Sequence, residues 1–578
     1  MVQTAHRFHV PVMGIGYTLD TPIKIARYGI SSVISIVQDD VIEKARSYYS
    51  RINQISYIPI PKKDKEHRSK RIMAYLNLVN ELVNRDFDLL KQSPAELAKY
   101  ARLLPGNVSV EDLQNQPEIL KKGSIDVNIM TKLDRQASSD ETVLTEACAA
   151  LKGYAESELN SSLVLSAGLN PRLFAFMQEF SDFYPDAFGQ IKKKIILKVS
   201  DFRSALLQGK MLAKKGLFVY EYRIESGLNC GGHTFATDGL LLGPILEEFK
   251  KHRQSMLAEQ LMLCQEDWAT RDVQLSEPLQ RISVQGGLGT SREREFMESH
   301  YGMDATGWGT PLLLVPEATS IDDETLNELI NAKEGDIYNS GISPLGVRFS
   351  TIRNNSGEKV KRARIEAGKP GSPCVRKHLA FDKTYNSLGL CTASVSFQKK
   401  KIKELNQQNL SKEAHKEAFD QITQKECICD GLAVSFLKKF NLMGKDNNEG
   451  VSVCPGPNLA YFDRSYSLEE MVGHIYGKVQ VLNMDRPHVF IKELRLYIDY
   501  YEEIWNAFVS GDMENRKEEN RLQKFRDNLF LGIDYYQNLV PTMLFDNEIE
   551  KDKFLNVLMS LRNKLQMIDD PALVNLIL

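Results

Sequence analysis

Apolar residues recur along this chain in two rhythms. Short β-branched runs alternate with longer stretches whose apolar positions repeat every three or four residues. Val10-Pro11-Val12-Met13-Gly14-Ile15-Gly16 reads as a buried strand running into a glycine turn. Thr21-Pro22 follows as an N-cap with proline at N1, and Gly29 stands where the helix would stop. Ser32 to Val37 is β-branched enough for a second strand, so the opening is a βαβ unit, which implies a parallel sheet. From about residue 40 to 120 the rhythm becomes helical, clearest between Ile72 and Leu90. The mixed-charge run from Lys62 to Arg68 reads as a solvated loop.

Strand-like runs return at Ile125 to Met130, Ser162 to Gly168, Lys194 to Val199, and Leu217 to Tyr220 leading into Gly227. Two more, Ile282 to Gln285 and Asp304 to Thr310, close the series. Helical stretches separate most of them, from Pro171, from Ala205 to Lys214, and after Thr290, where Glu293 completes a capping-box spacing. Eight parallel strands separated by helices predict an α/β fold, a (β/α)8 TIM barrel, with chemistry at the C-terminal strand ends. From Ser467 the chain turns helical, through Ile491 to Val509, Leu522 to Tyr536 and Phe554 to Leu565. Tyr497, Tyr500, Tyr501 and Trp505 read there as core or dimer contacts, which leaves a homo-oligomer open. The expected divisions are a barrel over 1–340 with a helical insertion at about 40–120, a cysteine-bearing module over 341–465 and an α-helical region over 466–578.

Two turns carry candidate chemistry. Gly227-Leu228-Asn229-Cys230-Gly231-Gly232-His233 ends an apolar run with adjacent glycines and a histidine. Glycine admits a ligand close to bare backbone, and a histidine there suits proton transfer near neutrality. Gly286-Gly287-Leu288-Gly289-Thr290 follows a strand and opens a helix, which aims backbone N–H groups and a helix dipole at one point and suits phosphate. In (β/α)8 barrels the last two strand-end loops are the usual phosphate site, and Gly309-Thr310 lies on the other one.

In register, these segments resemble the FMN-binding barrels of the nitronate monooxygenase and flavin-type enoyl-ACP reductase family over about residues 8–320. Pro11 to Gly16 with Thr21-Pro22 is similar to the family's opening strand. Val127-Asn128-Ile129-Met130 resembles its strand with a flavin-facing asparagine, and Ala167-Gly168-Leu169-Asn170-Pro171 its next turn. Asn229 to His233 resembles its acidic-alanine-glycine-glycine-histidine motif, Gly286 to Thr290 its phosphate loop, and Gly302 to Glu317 its final strand. Asn229 stands where the family commonly has an acidic residue, and Pro311 where it usually has arginine. The resemblance implies FMN as cofactor, with Met13, Gly14, Asn128 and Lys198 around the ring. It implies Gly231, Gly232, Gly286, Gly287, Gly289, Thr290, Gly309 and Thr310 around the ring and phosphate, and His233 as the catalytic acid/base. The expected activity is oxidoreduction of a small-molecule substrate of nitronate monooxygenase type. Reduction of an enoyl thioester or similar activated alkene is one alternative, and a flavin-binding partner in a biosynthetic complex is another.

Five of the eight cysteines fall between 350 and 460. Cys374, Cys391 and Cys454 sit in small-residue or proline turns, which suits an iron–sulfur cluster or zinc. The candidate ligands are Cys374, Cys391, Cys429 and Cys454; the spacing matches no standard cluster motif, and Cys427-x-Cys429 is tight enough that at most one of the two would ligate. Unmetallated packed thiols and a redox thiol are the other readings. Lys+Arg 73 against Asp+Glu 76 gives no global pull toward nucleic acid or membrane. No signal-peptide-like start or membrane-length apolar run is present, and the cysteines are too sparse for a disulfide scaffold, so a cytoplasmic protein with reduced thiols is expected.

Overall fold

The computed structural model describes residues 5–568, apart from 132–133, 137–142, 167, 231–232, 235–237, 277, 446, 448 and 511–515; for 233–234 it describes the backbone alone. The strands in chain order are β1 (Phe8–Val10), β2 (Ser31–Ser35), β3 (Ile125–Met130), β4 (Ser161–Ser166), β5 (Lys193–Val199), β6 (Val219–Glu225), β7 (His233–Thr234), β8 (Arg281–Gln285), β9 (Ala305–Gly307), β10 (Ile337–Ser340) and β11 (Arg348–Ile352). All but β7, β10 and β11 close into one parallel barrel, in which β9 returns to β1 through Phe8↔Thr306 and His9↔Gly307. The expected (β/α)8 barrel is therefore present. Its first strand is shorter than the apolar run suggested. Pro11 cannot donate to a ladder, and Gly14 takes φ 145, so 11–16 is a turn across the barrel mouth.

The period-2 alternation of the strands sorts side chains into layers inside the barrel. Asp126 and Asn128 on β3, Lys194, Ile196 and Lys198 on β5, and Glu221, Arg223 and Glu225 on β6 face inward. Their neighbours Val127, Leu197 and Ile224 join the apolar core against the helices. Val33, Val164 and Ile196, with Val12 against them, form a small separate cluster. This plug divides a charged lower cavity at the N-terminal strand ends from an upper cavity at the C-terminal ends.

The insertion is helical, as expected: Asp39–Ile52, His67–Gln92, Pro94–Leu103 and Val110–Asn115. Helix His67–Gln92 lies so close to helix Glu146–Ala155 that a Cβ on Gly153 would stand 2.5 Å from the Ser69 carbonyl oxygen, so the crossing needs glycine there. The C-terminal helices Val489–Val509, Arg516–Leu539 and Glu548–Ile568 pack on one another, with Tyr501 stacked on Phe525 in their core. Ser467 and Glu470 form a capping box on helix Leu468–Ile475. Among the described residues no helix is long and apolar enough to cross a membrane.

Two features bind these parts together. β10, β11 and β7 make an antiparallel sheet in which Phe349 pairs with His233, so strands on either side of residue 340 hold a loop of the barrel. Helix Ile428–Lys439 is buried at every position from Ile428 to Leu437. A helix apolar all round must be surrounded, and this one lies over the barrel mouth. There Gly16 N donates to the Leu432 carbonyl at 2.9 Å, and the Gln38 side chain donates to the Cys429 carbonyl.

Candidate functional site

The upper cavity, about 240 Å³, is floored by the ends of β2 to β6 and roofed by Phe349, Leu379, Ile428 and Leu432. Gly14 belongs to its rim, where a Cβ would meet the Tyr17 ring at 2.7 Å, so glycine is required by both backbone and space. Met13, expected beside a ring, is fully buried and does not line the cavity. Asn128 and Lys198 do line it. Lys198 Nζ donates to Glu225 Oε1 at 2.9 Å, and Gln285 Nε2 donates to the same oxygen at 2.9 Å. Asn128 and Asn229 are 2% and 5% exposed, and the Oδ1 atom of each has no hydrogen-bond partner among the described residues. An amide oxygen stripped of water and left unpaired costs about 1–3 kcal/mol. With Gln208 Oε1, a third unpartnered amide oxygen on the same wall, they mark the cavity as a place where a donor-bearing ligand would repair the loss.

The sequence pattern missed several of these residues. Asn229 was visible only as a departure from a motif. Glu225 is the third inward charge of Glu221-x-Arg223-x-Glu225, an alternation that in a buried strand signals a barrel interior. Phe349, Leu379 and Leu432 come from more than a hundred residues beyond β6, and no local signal could attach them to the mouth. Gly231 and Gly232 lie outside the described residues, as does the side chain of His233. The backbone of His233 stands opposite Phe349.

The expected phosphate loop, Gly286, Gly287, Gly289 and Thr290, is partly engaged within the chain. None of the four lines the cavity. Gly289 N donates to Glu293 Oε2 at 2.8 Å, while Glu293 Oε1 accepts from Arg486 at 2.7 Å and from Val489 N at 2.6 Å. Burial pushes the Glu293 carboxyl up, but Arg486, His488 and the Gly289 N–H outweigh it and hold the group below the usual range. The loop thus holds the chain's own carboxylate where a phosphate was expected. The same bonds undo the capping box: Thr290 accepts from Glu293 N, but the Glu293 carboxylate turns to Gly289 and Arg486. Gly287 O is taken by Asn458 Nδ2 at 2.8 Å and by Arg486. Gly309 and Thr310 are covered too, since Gly456 packs on Thr310 Oγ1 and Cys230 on Gly309.

Of the cysteines, Cys454 is displaced from its expected company. Its carbonyl accepts from Cys230 Sγ at 3.2 Å, at the barrel rim. Cys427 takes its place beside the others: Cys427 Sγ and Cys429 Sγ are 3.9 Å apart, and Cys374 is hydrogen-bonded to Cys391. That bond, with Lys377 N–H and nearby cations, lowers the Cys374 thiol to about 7, while the same bond and burial push Cys391 up. No three His, Cys, Asp or Glu side chains among the described residues converge on a single ion position.

No protein-family profile and no curated protein matches the chain. Solved structures with some likeness include FabK from Thermotoga maritima (TM-score 0.36, 11% identity, 82% of this chain and 93% of that one). Another is the enoyl reductase domain of MlnA from the macrolactin cluster of Bacillus amyloliquefaciens (0.37, 12%, 92% and 97%). A third is nitroalkane oxidase from Streptomyces ansochromogenes (0.33, 10%, 82% and 95%). At these scores the likeness adds nothing to what the pairing of eight strands establishes.

Proposed function

We propose that the upper cavity receives the ring system of a flavin and that the protein is an FMN-dependent oxidoreductase acting on a small organic substrate. The observation that supports it is the pair of buried, unpartnered oxygens, Asn128 Oδ1 and Asn229 Oδ1, in an otherwise largely apolar chamber at the C-terminal mouth of a (β/α)8 barrel. Ligand pockets usually run to about 300–1,000 Å³, and a chamber of about 240 Å³ suits a ring system better than a whole nucleotide. The fit is thus to the ring and not to a phosphate on Gly286 to Thr290, whose Gly289 N–H is given to Glu293.

When bound, a flavin supplies the two-electron chemistry, and the protein supplies position and exclusion of water. Asn128 and Asn229 would be acceptors for a flavin's ring N–H, of which the oxidised ring has one and the reduced ring more. Lys198, held by Glu225, places a cation at the chamber wall. Ile428 and Leu432 keep water from the mouth. His233 is the proposed acid/base, supported by its backbone station opposite the cavity-lining Phe349. Nitronate oxidation is the favoured reaction and enoyl-thioester reduction the alternative. The deciding measurement is a visible spectrum of the purified protein with added FMN or riboflavin, followed by the two turnover assays side by side. Protein that stays colourless with both flavins overturns the reading.

A further inference from the structure

The four thiols beside the roof helix have no part in that reading. They come from three separate stretches of chain. Cys374 occupies the left-handed region at φ 51 in the turn after Gly371, whose close packing on Ser394 and Val395 ties this turn to the one carrying Cys391. Ser372 N donates to the Ala393 carbonyl and Val395 N to the Ser372 carbonyl, so the two cysteine turns are laced together. Cys427 is the N-cap of helix Ile428–Lys439 and Cys429 lies in its first turn, at the positive end of the helix dipole. The backbone N–H groups of Lys377 and Ala393 lie near the Cys374 and Cys391 sulfurs.

Space accompanies them. A second cavity, about 340 Å³, is lined by Cys374, Cys427 and Cys429, with Arg376 and Lys377 on its wall. Cys429 also lines the upper barrel cavity, so one residue stands between the two chambers. An all-thiolate set selects zinc or an iron–sulfur cluster. Zinc would draw all four sulfurs to about 2.3 Å from one point, yet among the described residues no three ligands converge so. The thiols stand instead as two pairs with room beside them, which is the arrangement a polynuclear group needs.

We propose that Cys374, Cys391, Cys427 and Cys429 ligate an iron–sulfur cluster set against the outer wall of the barrel-mouth cavity. The proposal stands whether or not that cavity holds a flavin. The test is metal analysis of the full chain purified without oxygen and, in parallel, reconstituted with ferrous iron and sulfide. Iron and acid-labile sulfide in equal amounts, with a paramagnetic signal after dithionite, are expected in the wild type. Cys391→Ala and Cys427→Ala should each lose most of the iron, while Cys454→Ala and Cys264→Ala keep it. Far-ultraviolet circular dichroism separates lost ligation from lost folding, and the wild-type iron and sulfide content needs no variant at all. Zinc without sulfide, no iron after reconstitution, or iron loss in Cys454→Ala equal to that in Cys427→Ala overturns the assignment. Flavin content, read separately at its own absorption bands, leaves the outcome unaffected.

Discussion

The two ends of the barrel use the same inward positions to opposite effect. At the lower end the cavity is larger, about 590 Å³, and strongly charged. Its central charges are nevertheless partnered: Arg223 meets Glu221 at 2.8 Å, Ser283 donates to Glu221 at 2.6 Å, and Asp126 accepts from Ser162 N at 3.1 Å, while His9 Nε2 lies 3.2 Å from Gln285 Oε1. Burial leaves His9 neutral, with its pKa lowered to about 3. At the upper end the chamber is smaller and more apolar, and the amide oxygens of Asn128, Gln208 and Asn229 go unpaired among the described residues. Size and charge are therefore poor guides to function in this barrel. Unmet hydrogen-bonding capacity gathered on one cavity is the better one, because buried polar groups are ordinarily partnered.

The sharpest way to break the comparison is to unpair the lower end. Arg223→Ala leaves Glu221 buried beside Arg281 alone and should cost about 3–5 kcal/mol in urea denaturation. A loss under about 1 kcal/mol would mean that the lower pairing is not structural. A second effect comes from Glu493, behind the upper mouth, which accepts from Leu242 N at 2.7 Å and has its pKa raised by burial to about 7. The folded chain holds this proton after the unfolded chain has released it. Stability is thus full below the ordinary value of 4.5, falls as pH rises toward about 7, and is flat above, a change of about 3 kcal/mol. Glu493→Gln should remove that slope in denaturation curves run across the window, and an unchanged slope would assign it elsewhere.

Next in size are the orphan oxygens. Asn128→Leu and Asn229→Leu should leave the thermal midpoint of the flavin-free protein unchanged or raised while weakening flavin binding by about ten- to a hundredfold, the equivalent of about 1–3 kcal/mol. Equal binding in both variants would erase the contrast between the two ends. The smallest effect is a near-absence. With Glu293 on the glycine loop, riboflavin should bind within about tenfold of FMN by fluorescence titration. A preference for FMN of about a thousandfold would return the loop to phosphate.

Much of the barrel was legible because period-2 burial is a local signal. The bounds of β3 match the apolar run from Ile125 to Met130, and β5 and β8 begin one residue ahead of theirs. β1 was misjudged where Pro11 and Gly14 end pairing that hydrophobicity alone would have continued. Of the site, Gly14, Asn128 and Lys198 could be found in sequence and do line the cavity. The surroundings of the Gly286 to Thr290 loop could not be judged, because they depend on Arg486, Asn458 and Val489, which approach from far along the chain.

What the sequence determined by itself was the alternation of strand and helix and, through it, a closed parallel barrel with inward-facing polar residues. Tertiary structure decided which polar groups find partners. Glu293 and Arg486 fill the glycine loop, helix Ile428–Lys439 roofs the mouth, and Cys427 joins the thiols in place of Cys454. Secondary structure follows from neighbours within a few residues, whereas the partner of a buried charge, oxygen or thiol is whatever the folded chain brings within about 3–4 Å of it.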